Sequence, residues 1–583
     1  MDEKHPLGVS TLTETKVANP NDRSDHSDEP VSESRRKFLA DVGGVAVGAA
    51  TVGAIGLQPL FGAKNSVARA EDDDSPGAAR ADESREIRIH AANVERTVRI
   101  PHHPTNGDEI RYPDKCGTYT KGLPHDVFGR VDLNAFQSFI AALNSGKPAD
   151  FENITLGGAR KLTSPQSGLA FDLEGTDSHQ FAVPPPPAIA SAAYATELVE
   201  MYWASLLRDV PFTQYGFHPL AAQAAQELSA LPSYQGPRNS SNQVTPNLLF
   251  RGAFPGETVG PYVSQFFIQP TFLGAQPISQ QQVCYLPNID YMTDFGSWLA
   301  VQNGGGTGLT NQLDRQLRFE HTGRDLATWT HVDVLYQAYF VAFLVLLGMN
   351  APTNPGCPYN DSHTQIGFAT FGGPHAAGML GEVAYRALER SWFQKWLVHR
   401  RTRPEGGGGL VHLIKTGQGH NLSCQLHDSL LNSQAVQSSL AQNRSYLLSQ
   451  SFPEGSPTHP SYPTGHGVVA GACITVLKFF FDGNHLIQNP MVPTDDGTQL
   501  VAYTDSDAGQ MTVNGELNKL GHNVSFGHGI LAGIHYRSDT DASLLLGEET
   551  ALSILRDQAQ TFNEKFRVEL TKFDGSTARI SNQ

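Results

Sequence analysis

Along most of the chain, apolar residues recur at steps of three and four rather than alternating, which predicts helices and not strands. The pattern is clearest at 188–209, 219–231, 326–349, 377–400, 428–450, 466–481, 515–523 and 540–562. No long strand series, internal repeat or linker interrupts this half, so 188–570 is expected to fold as one large all-α domain. Between 71 and 187 short apolar runs mix with Gly, Pro and Asn, closing on Pro184-Pro185-Pro186-Pro187, which cannot continue a helix. This stretch predicts an irregular arm with a few short helices, packed on the core. Residues 571–583 are expected to form a C-terminal tail. The most apolar run, 334–349, is slightly short for a membrane span and contains Gln337, which favours a buried core helix.

The first seventy residues follow a different logic. Residues 1–33 are polar and without apolar periodicity, the signature of a disordered segment. Ser34-Arg35-Arg36-Lys37-Phe38-Leu39 then precedes a Gly/Ala-rich apolar stretch over 42–63 and a small-x-small pattern at Ala68-Arg69-Ala70. Residues 34–70 thus resemble a twin-arginine export signal. The apolar stretch is weakly hydrophobic, whereas a spanning helix carries about 20 strongly apolar residues. Such a signal implies a bacterial or archaeal chain exported to the periplasm or beyond, working without stable membrane insertion from near Glu71 onward.

Composition narrows the partners. With 42 Lys and Arg against 58 Asp and Glu, the net charge of −16 disfavours nucleic acid as a general partner, since phosphate binding relies on clustered positive charge. Any anion site must be a local exception. Cys116, Cys284, Cys357, Cys424 and Cys473 include no CxxC pair and allow two bridges at most, with the pairing open. His420, Cys424 and His427 match no standard metal spacing.

Three motifs supply candidate chemistry. In 392–404, Lys395 and Arg403 are eight residues apart, about two helical turns, so both fit one helix face that Pro404 would end; alone, a basic helix end merely complements the macrodipole. In Pro460-Ser461-Tyr462-Pro463-Thr464-Gly465-His466, a Pro- and Gly-rich backbone opens an apolar helix and offers free N–H groups, a hydroxyl and an imidazole to an anion; the plainer reading is a turn with a cap. In Gly533-Ile534-His535-Tyr536-Arg537-Ser538-Asp539, His535 and Asp539 are four apart. On a helix, the carboxylate could hold one ring nitrogen and leave the other as nucleophile or metal ligand. Singly, such a pair is more often structural.

In this order the three motifs resemble the vanadium-dependent haloperoxidases, which share a superfamily with type 2 phosphatidic acid phosphatases and bacterial acid phosphatases. The resemblance runs from about Ser191 to Glu548 and includes Gly323-Arg324-Asp325-Leu326-Ala327-Thr328 and Gly515-Glu516-Leu517-Asn518-Lys519-Leu520. It implies a helical-bundle haloperoxidase/acid phosphatase-like domain holding orthovanadate. His535 matches the metal-bound histidine, and His466 the histidine that handles protons opposite it. Lys395 and Arg403 match cationic donors, while the Thr464 hydroxyl and Gly465 N–H match the remaining ones, although serine is commoner than threonine there. A trianionic oxyanion needs several fixed donors, and arginine's fork suits paired oxygens. The implied reaction oxidises halide with hydrogen peroxide to hypohalous acid, which halogenates small organic acceptors, with Lys395 polarising the peroxide. Relatives range from single chains to large assemblies, so a homo-oligomer is among the expected states.

One departure concerns the cradle itself. The family carries an arginine six residues before the metal-binding histidine, where this chain has Gly529. Counted from Asn523, the arginine's place falls on His528, with one extra residue before Gly533. His528 is therefore either a substitute donor or the mark of a lost contact. Two residues bear on halide choice: His459 resembles the histidine of algal bromoperoxidases and Trp392 the tryptophan of fungal chloroperoxidases. Bromide and iodide are favoured, with chloride as a further candidate. The alternatives are an acid phosphatase working through a phosphohistidine at His535, and a non-catalytic oxyanion-binding protein.

Overall fold

The computed structural model describes residues 76–583, so the expected disordered segment at 1–33 and the signal at 34–70 lie outside the described residues. Helices dominate what is described. The ones that build and support the site are α1 (Ala192–Leu207), α2 (Gly323–Val332), α3 (Gln337–Gly348), α4 (Gly373–Phe393), α5 (Pro404–Lys415), α6 (Gly465–Phe480), α7 (Val513–Phe526) and α8 (Arg537–Ala559). Four antiparallel two-stranded sheets of short strands are the sheet content among the described residues.

α6 lies at the centre. Its sequence, Gly-His-Gly-Val-Val-Ala-Gly-Ala-Cys-Ile-Thr-Val-Leu-Lys-Phe-Phe, is apolar on every side, and every residue except His466 is buried, as such helices must be. α6 packs on α8 at backbone distance. A Cβ on Gly471 would come within 2.1 Å of Leu544 O, and one on Gly547 within 2.0 Å of Val468 O. Glycine is required at both crossings, and their closeness fixes the two helix N-termini side by side.

Several predicted helices are revised. The 326–349 run is two helices bent by 105°, because the chain turns extended at Asp333. Among the described residues no single helix is long and apolar enough to cross a membrane; that bent pair passes such a test only when taken together. The 428–450 run forms only Asp428–Leu431 and Gln434–Asn443. Ser433 caps the second piece by accepting from Ala435 N, and Arg444 ends it with φ 57°. Pro404 does not end a helix but opens α5 at its first turn, where a missing N–H is harmless. His535 and Asp539 do not share a helix: α8 begins at Arg537, after His535. The 515–523 and 540–562 patterns extend backwards, to Val513 and Arg537.

The arm is more helical than expected. Pro76–Thr97 forms a 22-residue helix, mostly exposed and polar on all sides, sustained by Ala, Arg and Glu, which are strong helix formers. Further on, the arm is built into the core. Tyr119 N donates to Arg400 O at 2.7 Å, Thr402 N to Gly117 O at 3.1 Å, and Cys116 forms a disulfide with Cys424. That bond removes Cys424 from any metal site; Cys284, Cys357 and Cys473 are free thiols. Residues 571–583, expected as a tail, belong largely to a hairpin pairing Arg567–Thr571 with Thr577–Ser581.

On α7, His522 is held between Glu257 and Asp541, the latter at 2.9 Å, and the two carboxylates raise its pKa to about 9 against the opposing effect of burial. A folded-state pKa raised above the unfolded value of 6.5 contributes stability that is fully present below pH 6.5 and lost as pH rises through 9. Chemical denaturation of the wild type is therefore expected to lose up to about 3 kcal/mol across this window. His522→Gln should flatten that loss, and an unchanged slope would refute the assignment.

Candidate active site

Two interruptions of helical geometry place the site's cations and imidazoles. α4 continues into a π-helical turn, Gln394–His399, that carries Lys395, and Arg400 then reverses the chain with φ 40°. Arg403 becomes the residue preceding α5. Lys395 and Arg403 therefore lie on opposite sides of a chain reversal rather than on one helix face, yet both reach the 459–461 loop. Lys395 Nζ donates to Pro460 O at 2.7 Å and Ser461 O at 2.8 Å. Arg403 donates from Nε to His459 O at 2.8 Å and from Nη1 to Ile534 O at 3.0 Å.

These two cations are buried, 0% and 2% exposed, and neither is ion-paired among the described residues. Their neighbours are treated differently: Arg401 pairs with Asp539 and Glu197, and Arg537 with Glu200. Burial drives the Lys395 pKa well below its ordinary value, with Arg403 pushing the same way. Burial also lowers Arg403 to about 10. A pair of buried bases held by carbonyls and imidazoles, with no carboxylate beside them among the described residues, favours an anion that would restore their charged forms.

His535 is 1% exposed and sits just before α8. Its Nδ1 donates to Asp539 Oδ2 at 3.1 Å, while Nε2 accepts from Arg403 Nη1 at 2.8 Å. Asp539 is fixed in turn by Arg401 at 2.6 Å, by the Ser461 hydroxyl and by Tyr536 N. The carboxylate thus selects the tautomer that leaves the Nε2 lone pair facing the cations. Burial, then Arg403 and Lys395, hold the ring well below the usual imidazole pKa, which keeps Nε2 unprotonated. The predicted His-Asp pair survives without the predicted shared helix, because Asp539 reaches back from the first turn of α8.

The start of α6 completes the cradle. Thr464 is its N-cap, but its hydroxyl makes no capping bond and has no hydrogen-bond partner among the described residues, although the residue is fully buried. Its backbone N–H is held by Ser543 Oγ of α8 at 2.7 Å. Gly465 and His466 occupy the first two positions of α6, where backbone N–H groups lack helical acceptors and the macrodipole favours negative charge.

The stretch where the resemblance places one extra residue before Gly533 forms a second π-helical turn, Gly527–Leu531, in which Gly529 takes φ −119° and ψ −105°. A π-turn is what a one-residue insertion into a helix produces. It brings His528 inward: its ring lies 3.9 Å from that of His466 and 6.1 Å from that of His535. His528 Nδ1 is buried without a partner among the described residues, and burial with the neighbouring histidines holds its pKa well down. Arg537 points away, onto Glu200 and Arg251 O.

The two halide candidates form one surface. The Trp392 and His459 rings are 4.8 Å apart, with Lys395 Nζ 5.9 Å above Trp392 and Arg403 Nη2 2.9 Å from His459 Nδ1. Sequence reasoning missed four residues: Asp333, whose Oδ1 holds His466 Nε2 at 3.2 Å, and Arg401, Glu197 and Ser461 around Asp539. Asp333 was hidden inside an apolar run, and Arg401 inside a basic one.

A vanadium-dependent bromoperoxidase from Corallina officinalis is 35% identical, over 86% of this chain and 98% of the relative. Another from Ascophyllum nodosum is 35% identical, over 87% and 94%. A solved homohexameric vanadate-dependent bromoperoxidase from Ascophyllum nodosum superposes with a TM-score of 0.83 at 29% identity, over 90% of this chain and 94% of that one. No family model matches. The chain belongs to the vanadium-dependent haloperoxidases. Its helical architecture is that of the family, and the donor set fits a vanadate oxyanion: two unpaired buried cations, a helix start, a spare hydroxyl and one imidazole lone pair.

Because the Thr464 hydroxyl is unpartnered within the protein, Thr464→Val should leave the melting temperature of vanadate-free protein unchanged or raised. Orthovanadate affinity, read by equilibrium dialysis, should fall about ten- to hundredfold, the loss of a charge-assisted hydrogen bond. Unchanged affinity would remove Thr464 from the cradle.

Proposed function

We propose that this haloperoxidase uses vanadate to oxidise bromide with hydrogen peroxide. Peroxide, bromide and one proton yield hypobromous acid and water, and the hypobromous acid then halogenates small organic acceptors. The observation that carries the reading is the pair of buried, unpaired cations facing the His535 Nε2 lone pair. Bound vanadate supplies Lewis acidity without changing oxidation state.

The chain's own residues do the rest. Lys395, Arg403, the Thr464 hydroxyl and the Gly465 N–H bind and orient the oxyanion, and His535 Nε2 ligates its metal. Asp539 holds the His535 tautomer. His466, anchored through Nε2 to Asp333, exchanges protons at Nδ1. His528 Nδ1 serves as the donor in place of the family's arginine. The Trp392–His459 surface receives the halide; the bromoperoxidase relatives and His459 favour bromide, with iodide next and chloride less favoured.

The finer readings rest on lesser supports. The hexameric relative supports a homo-oligomer. The Arg35-Arg36 motif with its apolar stretch supports twin-arginine export from a bacterial or archaeal cytoplasm.

The test is bromination of a dimedone-type reporter by purified protein with hydrogen peroxide and bromide, with and without orthovanadate, beside hydrolysis of an aryl phosphate. Vanadate-dependent bromination that falls to background in His535→Ala is expected. Phosphate hydrolysis without bromination would assign the cradle to phosphoryl transfer, and silence in both assays to oxyanion binding alone. In the same preparation His528→Ala should weaken orthovanadate binding about tenfold and His528→Arg should preserve or tighten it, read by dialysis. Equal affinity in all three would exclude His528 as a donor.

A further inference from the structure

Each turnover of the proposed reaction takes up one proton, yet the innermost side chains of the cradle are nearly sealed from solvent. Exposure rises outward along a series of titratable groups: the side chain of His535 is 1% exposed, that of His466 11%, that of His331 21% and that of Glu454 27%. The last two have no part in holding the oxyanion.

The outer pair joins the inner groups through the end of α2. His331 lies in the last turn of α2, two residues before Asp333, whose Oδ1 holds His466 Nε2 at 3.2 Å. α2 rests directly on the π-turn that carries His528, since a Cβ on Gly527 would come within 2.8 Å of Leu326 O. One turn before His331, Ala327 packs with Tyr285, Phe452, Ala532 and Ile534, and Ile534 immediately precedes His535 and holds Arg403 through its carbonyl. The His331 ring stacks on Phe452 with centres 3.8 Å apart and planes at 10°. It is therefore fixed beside the wall that carries His535, and its charge is among those that act on His528.

His331 is held so that it can change protonation state without moving. Nε2 donates to Glu454 Oε1 at 2.7 Å, and Nδ1 lies 2.6 Å from the Tyr285 hydroxyl. A neutral ring accepts from Tyr285 OH at Nδ1, and a protonated ring donates to the same oxygen, because a hydroxyl is both donor and acceptor. Both hydrogen bonds survive in either form. Burial opposes ionisation of Glu454, but the hydrogen bond and charge of His331 overcome it and hold the carboxyl below its ordinary pKa. Burial, with Glu454 and Tyr291 adding to it, keeps the Tyr285 phenol protonated. The other charged groups around the pair are Asp333 on the same segment, His466 and His528 on the cradle side, and Arg160, whose Nη1 donates to Glu454 O at 3.4 Å.

We infer that Glu454 and His331 form the outer station of a proton relay, which takes a proton from solvent and returns it across the exposed mouth to His466 after each turnover. Both act through His466 and touch neither peroxide nor halide. His466 gives up one proton as hypobromous acid and water form, protonated His331 restores it, and solvent reloads His331, so that the net uptake is the single proton the reaction consumes. The inference rests on the bromination proposed above.

The experiment follows bromination by the vanadate-loaded wild type, His331→Gln and Glu454→Gln against pH and against the concentration of a carboxylate buffer, 3,3-dimethylglutarate, at constant ionic strength. In His331→Gln, kcat is expected to fall about tenfold at alkaline pH, less than the roughly hundredfold or more that a direct general acid contributes. The deficit should shrink as hydronium becomes plentiful, and raised buffer should restore the rate, whereas wild-type kcat should not respond to buffer. Glu454→Gln should show a smaller loss with the same rescue. The KM for bromide and the orthovanadate affinity, read by dialysis, should stay at wild-type values in both variants. A loss that no buffer restores, a loss accompanied by weaker orthovanadate binding, or wild-type kcat in both variants would overturn the inference. Absence of bromination by the wild type would instead refute the haloperoxidase reaction, and the relay with it.

Discussion

The structure is organised around two buried cations that the protein does not neutralise. Lys395 and Arg403 are met by backbone carbonyls of Pro460, Ser461, His459 and Ile534, and by imidazoles, but by no carboxylate among the described residues. Leaving such groups unpaired is unfavourable by several kcal/mol, so everything around them is arranged to hold them in place. Arg401, two residues before Arg403, shows the alternative: paired with Asp539 and Glu197, it serves as scaffold.

Holding the cations requires rigid opposition from the other side, and the α6–α8 crossing supplies it. Because Gly471 and Gly547 let the two backbones touch, the N-terminus of α6 and the residues preceding α8 cannot shift independently. Thr464 N bonded to Ser543 Oγ ties them again at the site. His466 and His535 consequently face the same cations from different helices. The arm reinforces the third wall: its pairing with 400–402 and the Cys116–Cys424 bond brace the chain reversal that carries Arg403.

Much of this was legible in the order and spacing of residues. The apolar pattern of α6 gave a buried helix, and the three motifs together named the cradle: Lys395, Arg403, Thr464, Gly465, His466, His528 and His535 all come to one place. Local geometry was less legible. Lys395 and Arg403 meet across a reversal that a three-to-four-residue periodicity reads as continuous helix, since π-turns preserve approximate helical spacing. The break at Asp333 was hidden for the same reason, as apolar residues on both sides kept the period intact. The Glu454–His331 pair left no trace in the sequence, because its partners are 123 positions apart.

The sequence by itself determined the chemistry on offer: which side chains are basic, which are imidazoles, where a helix must begin and which helix must be buried. Those properties are local, set by residue type and period. Only the tertiary structure decided which groups act together. It paired Asp333 with His466 and Arg401 with Asp539, formed a π-turn that sets His528 beside His466, and put Trp392 against His459. These are contacts between segments far apart in the chain, and they depend on backbone crossings that no local pattern encodes.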